Sequence, residues 1–356
     1  MGTLRLLLAL AVVAQHTFGV ILLSGAQAVE GFFAVSGFLM SYLLVEAKTY
    51  SSPINFWKNR VLRIFPLYWF VLLISLIFNL ATSISGFVQT LADVPIFAKL
   101  LLLFSNFFIF LQDWVMLLDL NHGQLVLKDS FENFKYHLHW GLLIPQSWTL
   151  ALEIMFYALA PFILRNRKIF LICLAASLFS RTIFELLSLP VDPWIYRFFP
   201  NELCIFLLGS FSHQLVSRIY TKLRILDSAK VVSVISVITI SGILSVNLLQ
   251  GSDNLKTFAL IIFLVLGLPF LFRINKIFKV DNFLGSLSYP VYLWHLVIFW
   301  YLNMKTGYTL LPLQLFVWTA IFSIAASVVT NKYLDEPIQR IRLTNKIGYQ
   351  ETSNPV

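Results

Sequence analysis

The chain has 356 residues, of which 58% are apolar and 12% charged; Phe alone occurs 34 times, and the formal charge is +9. Soluble domains run at about 45–50% apolar and about 25% charged, so this composition excludes a soluble chain of two or three domains, and equally a disordered one. The basic residues fall in short clusters between apolar stretches, which makes the charge an orientation signal rather than a nucleic-acid footprint. Cys173 and Cys204 both lie inside apolar stretches and supply neither a disulfide framework nor metal spacing.

A spanning helix needs about 20 mostly apolar residues. Stretches of that kind run over 3–23, 28–46, 62–80, 147–164, 169–187, 199–216, 231–249, 257–272, 284–303 and 312–334. The first lacks a small-residue cleavage site followed by a soluble domain and is expected to be a retained helix. Basic clusters follow alternate stretches. They are Lys48, Lys58, Arg60 and Arg63; Arg165, Arg167 and Lys168; Arg218, Lys222, Arg224 and Lys230; Arg273, Lys276 and Lys279; and Lys332, Arg340, Arg342 and Lys346. Segments 24–29 and 81–95 carry no Lys or Arg. Placing the clusters in the cytoplasm puts both termini there.

That orientation puts 81–95 and the segment before Ser147 both outside. The apolar stretch 96–112 therefore re-enters and returns, or lies along the outer surface. The expected fold class is an all-α polytopic membrane protein with about ten transmembrane helices and one outer re-entrant segment. The loop 113–146 is polar, with Asp113, Asp119, His122, Asp129, Glu132, His137 and His139. Residues 1–340 form the transmembrane domain and 341–356 a cytoplasmic tail.

Ionisable groups within apolar helices need a reason, since each costs about 2.5–3.5 kcal/mol at a helix centre. His16 lies in the outer half of the first helix, Glu30 at the outer start of the second, and Glu153 about two turns into the helix from Ser147. A His meeting a carboxylate can serve as a general base; the same groups can simply hold helices together. Arg60 and Arg63 share a helix face. They are either an interfacial anchor or a phosphate clamp, with Pro66 disturbing the helix just beyond. His295 lies near mid-membrane in LSYPVYLWHLVIFW, where a satisfied buried His is the plain alternative to a functional one. No metal site is expected: His137 and His139 are two apart and lack partners at ligand spacing.

Taken together, several segments resemble the acyltransferase 3 family of integral-membrane acyltransferases. GTLRLLLALAVVAQH resembles the family's first helix, which ends in a characteristic His, here His16. EGFFAVSGFLMSYLL is similar to the second helix, with Ser36 and Gly37; FWKNRVLRIFPLYW to the Arg-x-x-Arg segment, with Arg60 and Arg63. SWTLALEIMFY matches the Ser-Trp-x-x-x-x-Glu stretch, with Ser147, Trp148 and Glu153; LGSLSYPVYLWH the late helix ending at His295; and YLDEPIQR the closing Glu336-Pro337. The Glu stretch has one acidic residue where many relatives carry two.

The resemblance implies transfer of an acyl group, commonly acetyl, from cytoplasmic acyl-CoA to a glycan hydroxyl at the membrane. No bound cofactor is implied; acyl-CoA is a co-substrate. The partners are the acyl-CoA donor, a carbohydrate acceptor and the bilayer, with no nucleic acid. It implies His16 and Glu153 as catalytic residues and Arg60 and Arg63 as acyl-CoA-binding. Ser36, Tyr68, Trp148 and His295 are expected to line the cavity, and the chain to be a multi-pass protein of a bacterial inner membrane. The rival class is a transporter or exporter using the intramembrane His and Glu as a proton relay. No internal repeat of the kind many transporters show is evident.

Overall fold

The computed structural model describes residues 1–20, 22–50, 52–82, 86–121, 124–127, 137–251 and 253–341. His122, Asp129, Glu132 and the tail from Arg342 onward, Lys346 included, lie outside the described residues. The chain is a helical bundle. In order come α1 (Gly2–Thr17), α2 (Gly25–Ser41), α3 (Pro53–Thr82), α4 (Phe87–Asp93), α5 (Ile96–Phe108) and α6 (Gln112–Leu117). Then follow α7 (Trp148–Ile163), α8 (Arg167–Leu186), α9 (Phe199–Phe211), α10 (Arg218–Lys222), α11 (Ala229–Leu244), α12 (Asp253–Ile277), α13 (Lys279–Thr306) and α14 (Pro312–Thr330). It is a multi-pass membrane protein. By length and hydropathy, six described helical runs can each cross a bilayer: Gly25–Glu46, Pro53–Thr82, Arg167–Leu186, Leu255–Ile274, Val280–Thr306 and Pro312–Ile341. Helices α1 and α11 are apolar but shorter.

Local chemistry sets the helix starts. Ser24 accepts from the Gln27 amide while the Gln27 side chain returns to the Ser24 amide, a capping box that opens α2. Asn166 and Ser228 cap α8 and α11. Gly307, at φ 59°, ends α13 in the left-handed conformation. Pro66, Pro161, Pro269 and Pro290 all sit inside helices. Neighbouring helices in a membrane bundle make such interior prolines tolerable. Helix α3 therefore runs unbroken through Pro66 and starts nine residues before the expected 62. Arg60 and Arg63 stand within it rather than at its entry.

Cross-helix bonds show which segment ends lie together. At one end, Thr3 in α1 donates through its amide and its Oγ1 to Asp281 at the start of α13, each at 2.6 Å. At that end too, Arg165 after α7 donates to the Tyr50 carbonyl before α3, and Glu46 after α2 meets His213 after α9 at 2.9 Å. Arg5 and Arg63 lie here beside Asp281, and Arg165 with them, so it is called the basic end. At the far end, Gln27 reaches Asn247 at 2.9 Å, and Arg181 binds Glu30 at 2.8 Å and Glu202 at 3.0 Å.

One seam, between α2 and α9, brings backbones together at two glycines. A Cβ on Gly37 of α2 would sit 1.8 Å from the Phe206 carbonyl oxygen of α9, and one on Gly209 would sit 1.9 Å from that of Ala34. Small residues permit this approach where apolar lipid gives helices no hydrophobic reason to associate.

The segment 96–112 doubles back. Helix α5 stops at Phe108, Ile109 and Leu111 take φ of 66° and 69°, and α6 turns away. One face of α5 (Ile96, Leu100, Leu103, Phe107) is exposed and apolar; Ala98, Leu102, Ser105 and Asn106 are buried. A polar net ties it down: Tyr68 Oη donates to the Asn106 carbonyl at 2.5 Å, Gln112 Nε2 to Tyr68 Oη at 3.1 Å, and Ser147 Oγ to Gln112 Oε1 at 2.7 Å. The expected all-α fold gains one short antiparallel ribbon, β1 (Leu118–Asn121) with β2 (Gln124–Leu127), in the polar loop.

Candidate active site

Between α1, α2, α3, α7, α12 and α13 lies a cavity of about 320 Å³. A second volume of about 440 Å³ shares Arg5, Leu39, Arg63 and Tyr289 with it and leads to the basic end, past Asp281, Asp335 and Gln339. The inner wall is polar on one side. Glu153 accepts from Ser36 Oγ at 2.7 Å and from Tyr157 Oη, and those two hydroxyls are 3.1 Å apart. Tyr157 follows Glu153 by four residues, one helical turn, so both point the same way.

Three guanidinium groups, of Arg5, Arg60 and Arg63, line the same cavity. Arg60 is only 8% exposed; it donates to Asn59 Oδ1 at 2.7 Å and lies 5.6 Å from the Phe56 ring centre and 5.7 Å from that of Tyr157. Its Nε has no hydrogen-bond partner among the described residues. Arg5 and Arg63 line both volumes. Among the described residues none of the three has a carboxylate within 4.0 Å. Unneutralised, clustered guanidiniums around a concavity make an anion site, and their planar forks suit phosphate. Opposed rings of Phe272 and Tyr42 narrow the apolar side of the cavity, 4.7 Å between centres.

The expected site residues divide. Ser36, Arg60, Arg63 and Glu153 meet in this cavity. His16 does not join them. It lies in the last turn of α1, exposed, with its ring 5.3 Å from the ring of His295. Tyr292 links the two places: it lines the cavity, its Oη is 2.7 Å from Thr149 Oγ1, and His295 follows it by three residues. From that shared level Glu153 lies four residues toward the basic end and His295 three toward the far end. At about 1.5 Å per residue the carboxylate and the imidazoles are about 10 Å apart along the bundle. The expected His–carboxylate meeting is absent among the described residues; Glu30, the other candidate, is held by Arg181.

Three residues expected on the cavity wall are elsewhere, for geometric reasons. Trp148 precedes Glu153 by five residues, so at about 100° per residue it faces another way; the Arg197 guanidinium covers its ring at 4.4 Å. Tyr68 lies two turns beyond Arg60 along α3 and is consumed by the Asn106–Gln112 net. His295 is wholly buried beyond Tyr292.

Sequence reasoning missed Arg5, Tyr157 and Tyr292. Arg5 lies inside an apolar stretch, and the expense of an intramembrane charge is the signal that could have found it. Tyr157 could have been found from its one-turn spacing to Glu153. The pairing of Thr149 with Tyr292 spans 143 residues and leaves no local trace.

A family model described as an acyltransferase domain matches residues 2–332 of the chain. An uncharacterised protein of Aquifex aeolicus (strain VF5) is 25% identical over 205 residues, covering 56% of this chain and 89% of that protein. No solved structure matches the chain.

Proposed function

The chain belongs to the acyltransferase 3 family, and from that premise we propose that it moves an acyl group, acetyl in the simplest case, from cytoplasmic acyl-CoA to a glycan hydroxyl. The reading includes ten crossings, with the basic end in the cytoplasm of a bacterial cell and both termini there. One observation carries it: three guanidiniums without carboxylate partners surround a cavity that leads to the basic end. The phosphates of CoA are anionic and cytoplasmic. Arg63 and Arg5 meet them at the junction of the two volumes, and Arg60 stands deeper. The thioester arm then follows the apolar wall toward Tyr292.

At the far end His16 takes the proton of the acceptor hydroxyl as its oxygen attacks the thioester carbon. A carbon–oxygen bond forms and the carbon–sulfur bond breaks. Sulfur leaves as the CoA thiolate, and the proton held by His16 passes to it. Glu153 belongs to the donor side in this scheme, where it holds Ser36 and Tyr157 against the arm.

Membranes carrying the protein, given acyl-CoA labelled in the acyl group, are expected to transfer label to membrane glycan. His16→Ala is expected to abolish transfer at an unchanged protein level; retained transfer overturns the reading. Proton-driven solute uptake with no acyl-CoA consumed would instead establish the transporter class.

A further inference from the structure

The imidazole pair carries one step more, which rests on the reading of His16 as the base. His295 is wholly buried, and its Nδ1 is 2.7 Å from the carbonyl oxygen of Tyr292. A carbonyl only accepts, so the Nδ1 carries the proton and donates it to that bond. Gln146 Nε2 donates to the neighbouring Leu293 carbonyl at 3.0 Å, which holds this turn of α13 from a second side. The Nε2 of His295 is thereby left as a lone pair, and it has no partner among the described residues. Buried acceptors without a donor are few in native proteins, and each calls for a reason.

The reason lies across the α1–α13 seam. The His16 ring is centred 5.3 Å away and tilted by 34°. A ring nitrogen sits about 1.2 Å from its ring centre, so an N–H···N bond of about 2.9 Å puts two facing imidazoles about 5.3 Å apart. His16 is exposed, so a rotation about its own side-chain torsions is the movement that would bring an N–H onto Nε2. No carboxylate competes for it: Glu153 is held by Ser36 and Tyr157, and Glu30 by Arg181.

We propose that His295 is the positioning residue for His16. Its Nε2 accepts the ring N–H of His16, so the second nitrogen of His16 is held as the lone pair that faces the acceptor hydroxyl. Once His16 has taken the proton, the same bond becomes charge-assisted and strengthens as the transition state is reached. A neutral imidazole locked by a backbone carbonyl thus does the orienting work that a carboxylate does elsewhere.

Three substitutions separate this from simple packing, read as acyl-CoA turnover in membranes at matched protein level. His295→Phe keeps a ring and loses the nitrogen. His295→Asn can keep the bond to the Tyr292 carbonyl but has no group at the Nε2 position. His295→Gln places a carbonyl oxygen near that position. Orienting groups of this kind are worth about ten- to hundredfold. The expected result is a fall in kcat of that size for Phe and Asn, a donor KM within about twofold of wild type, and a large part of kcat restored by Gln. Wild-type kcat in His295→Phe overturns the proposal. Equal kcat in the Gln and Asn variants also overturns it, and that comparison stands even if Phe lowers the amount of folded protein. If His16→Ala retains activity, the base reading itself has failed. An inactive His16→Ala beside an unaffected His295→Phe sinks only this inference.

Discussion

Two polar regions share the bundle about 10 Å apart along its axis, and they are built in opposite ways. The region toward the basic end is a cavity with an excess of charge: Arg5, Arg60 and Arg63 outnumber the single carboxylate of Glu153 and have no ion pair among the described residues. The far-end region is a pair of imidazoles with no carboxylate on them, one wholly buried against a backbone carbonyl and the other exposed. An uncompensated charge inside a membrane protein awaits an opposite charge, and a nearly neutral imidazole awaits a proton. On the proposed reading the division separates binding from chemistry. It predicts that damage at the two places appears in different kinetic constants.

The largest effect is expected at the imidazoles. His16→Ala removes the proposed general base, and the loss should be about 10²–10⁴-fold in kcat with little change in donor KM. The kinetics of donor turnover in membranes check this; a variant that keeps kcat and loses donor affinity would merge the two regions and break the comparison. Next in size is Arg60→Ala combined with Arg63→Ala. Each guanidinium bond to a phosphate is worth about 1.5–3 kcal/mol, so the donor KM should rise by at least tenfold while the surviving kcat falls less. If the double variant changes membrane orientation, mapped by accessibility of tagged loops, and binds donor normally, the arginines are anchors. A smaller effect is expected for Tyr157→Phe. It removes one of two hydroxyl donors to Glu153 and leaves Ser36 in place, which should cost donor KM a few-fold, about 1 kcal/mol.

How much of this could be read beforehand differs between the regions for a physical reason. Segment Arg60-to-Arg63 and the Glu153–Tyr157 turn are local patterns, and a helix face follows from spacing alone. Many of the helices were legible as apolar runs; charge asymmetry in the flanking loops left 96–112 either re-entering or lying along the surface, and the break at Ile109 and Leu111 was visible only in the structure. What failed was depth and rotation. His16 and Glu153 both fall in the outer part of their helices by counting residues, yet counting cannot show that α13 lies between them with Tyr292 at the dividing level. Trp148 was placed on the wrong face because a motif records order and not angle. Close packing of α1 on α13 involves Gly2 and Gly285, where a Cβ added to Gly285 would sit only 2.8 Å from Gly2 Cα, and nothing in either segment names the other.

Any pH profile used to compare the regions must be separated from the scaffold's own response, and Asp113 supplies that response. It lies in α6, outside the spanning helices, only 1% exposed, with Oδ1 unpartnered among the described residues. Burial pushes its carboxyl up to about 6, against which backbone hydrogen bonds pull only weakly. The folded protein therefore holds this proton more tightly than the unfolded chain does. Its favourable contribution is full below the usual carboxylate range and is lost as pH rises through about 6. Asp113→Asn keeps the shape and removes the charge. Its stability relative to wild type should be greater at pH 8 than at pH 5, by about 1–3 kcal/mol, measured as thermal unfolding in detergent at the two pH values. The catalytic profile of the imidazoles should not move with this substitution once activity is expressed per folded molecule. A shift of the kcat profile in Asp113→Asn would mean that α6, which packs against α7, couples its charge state to the reacting groups.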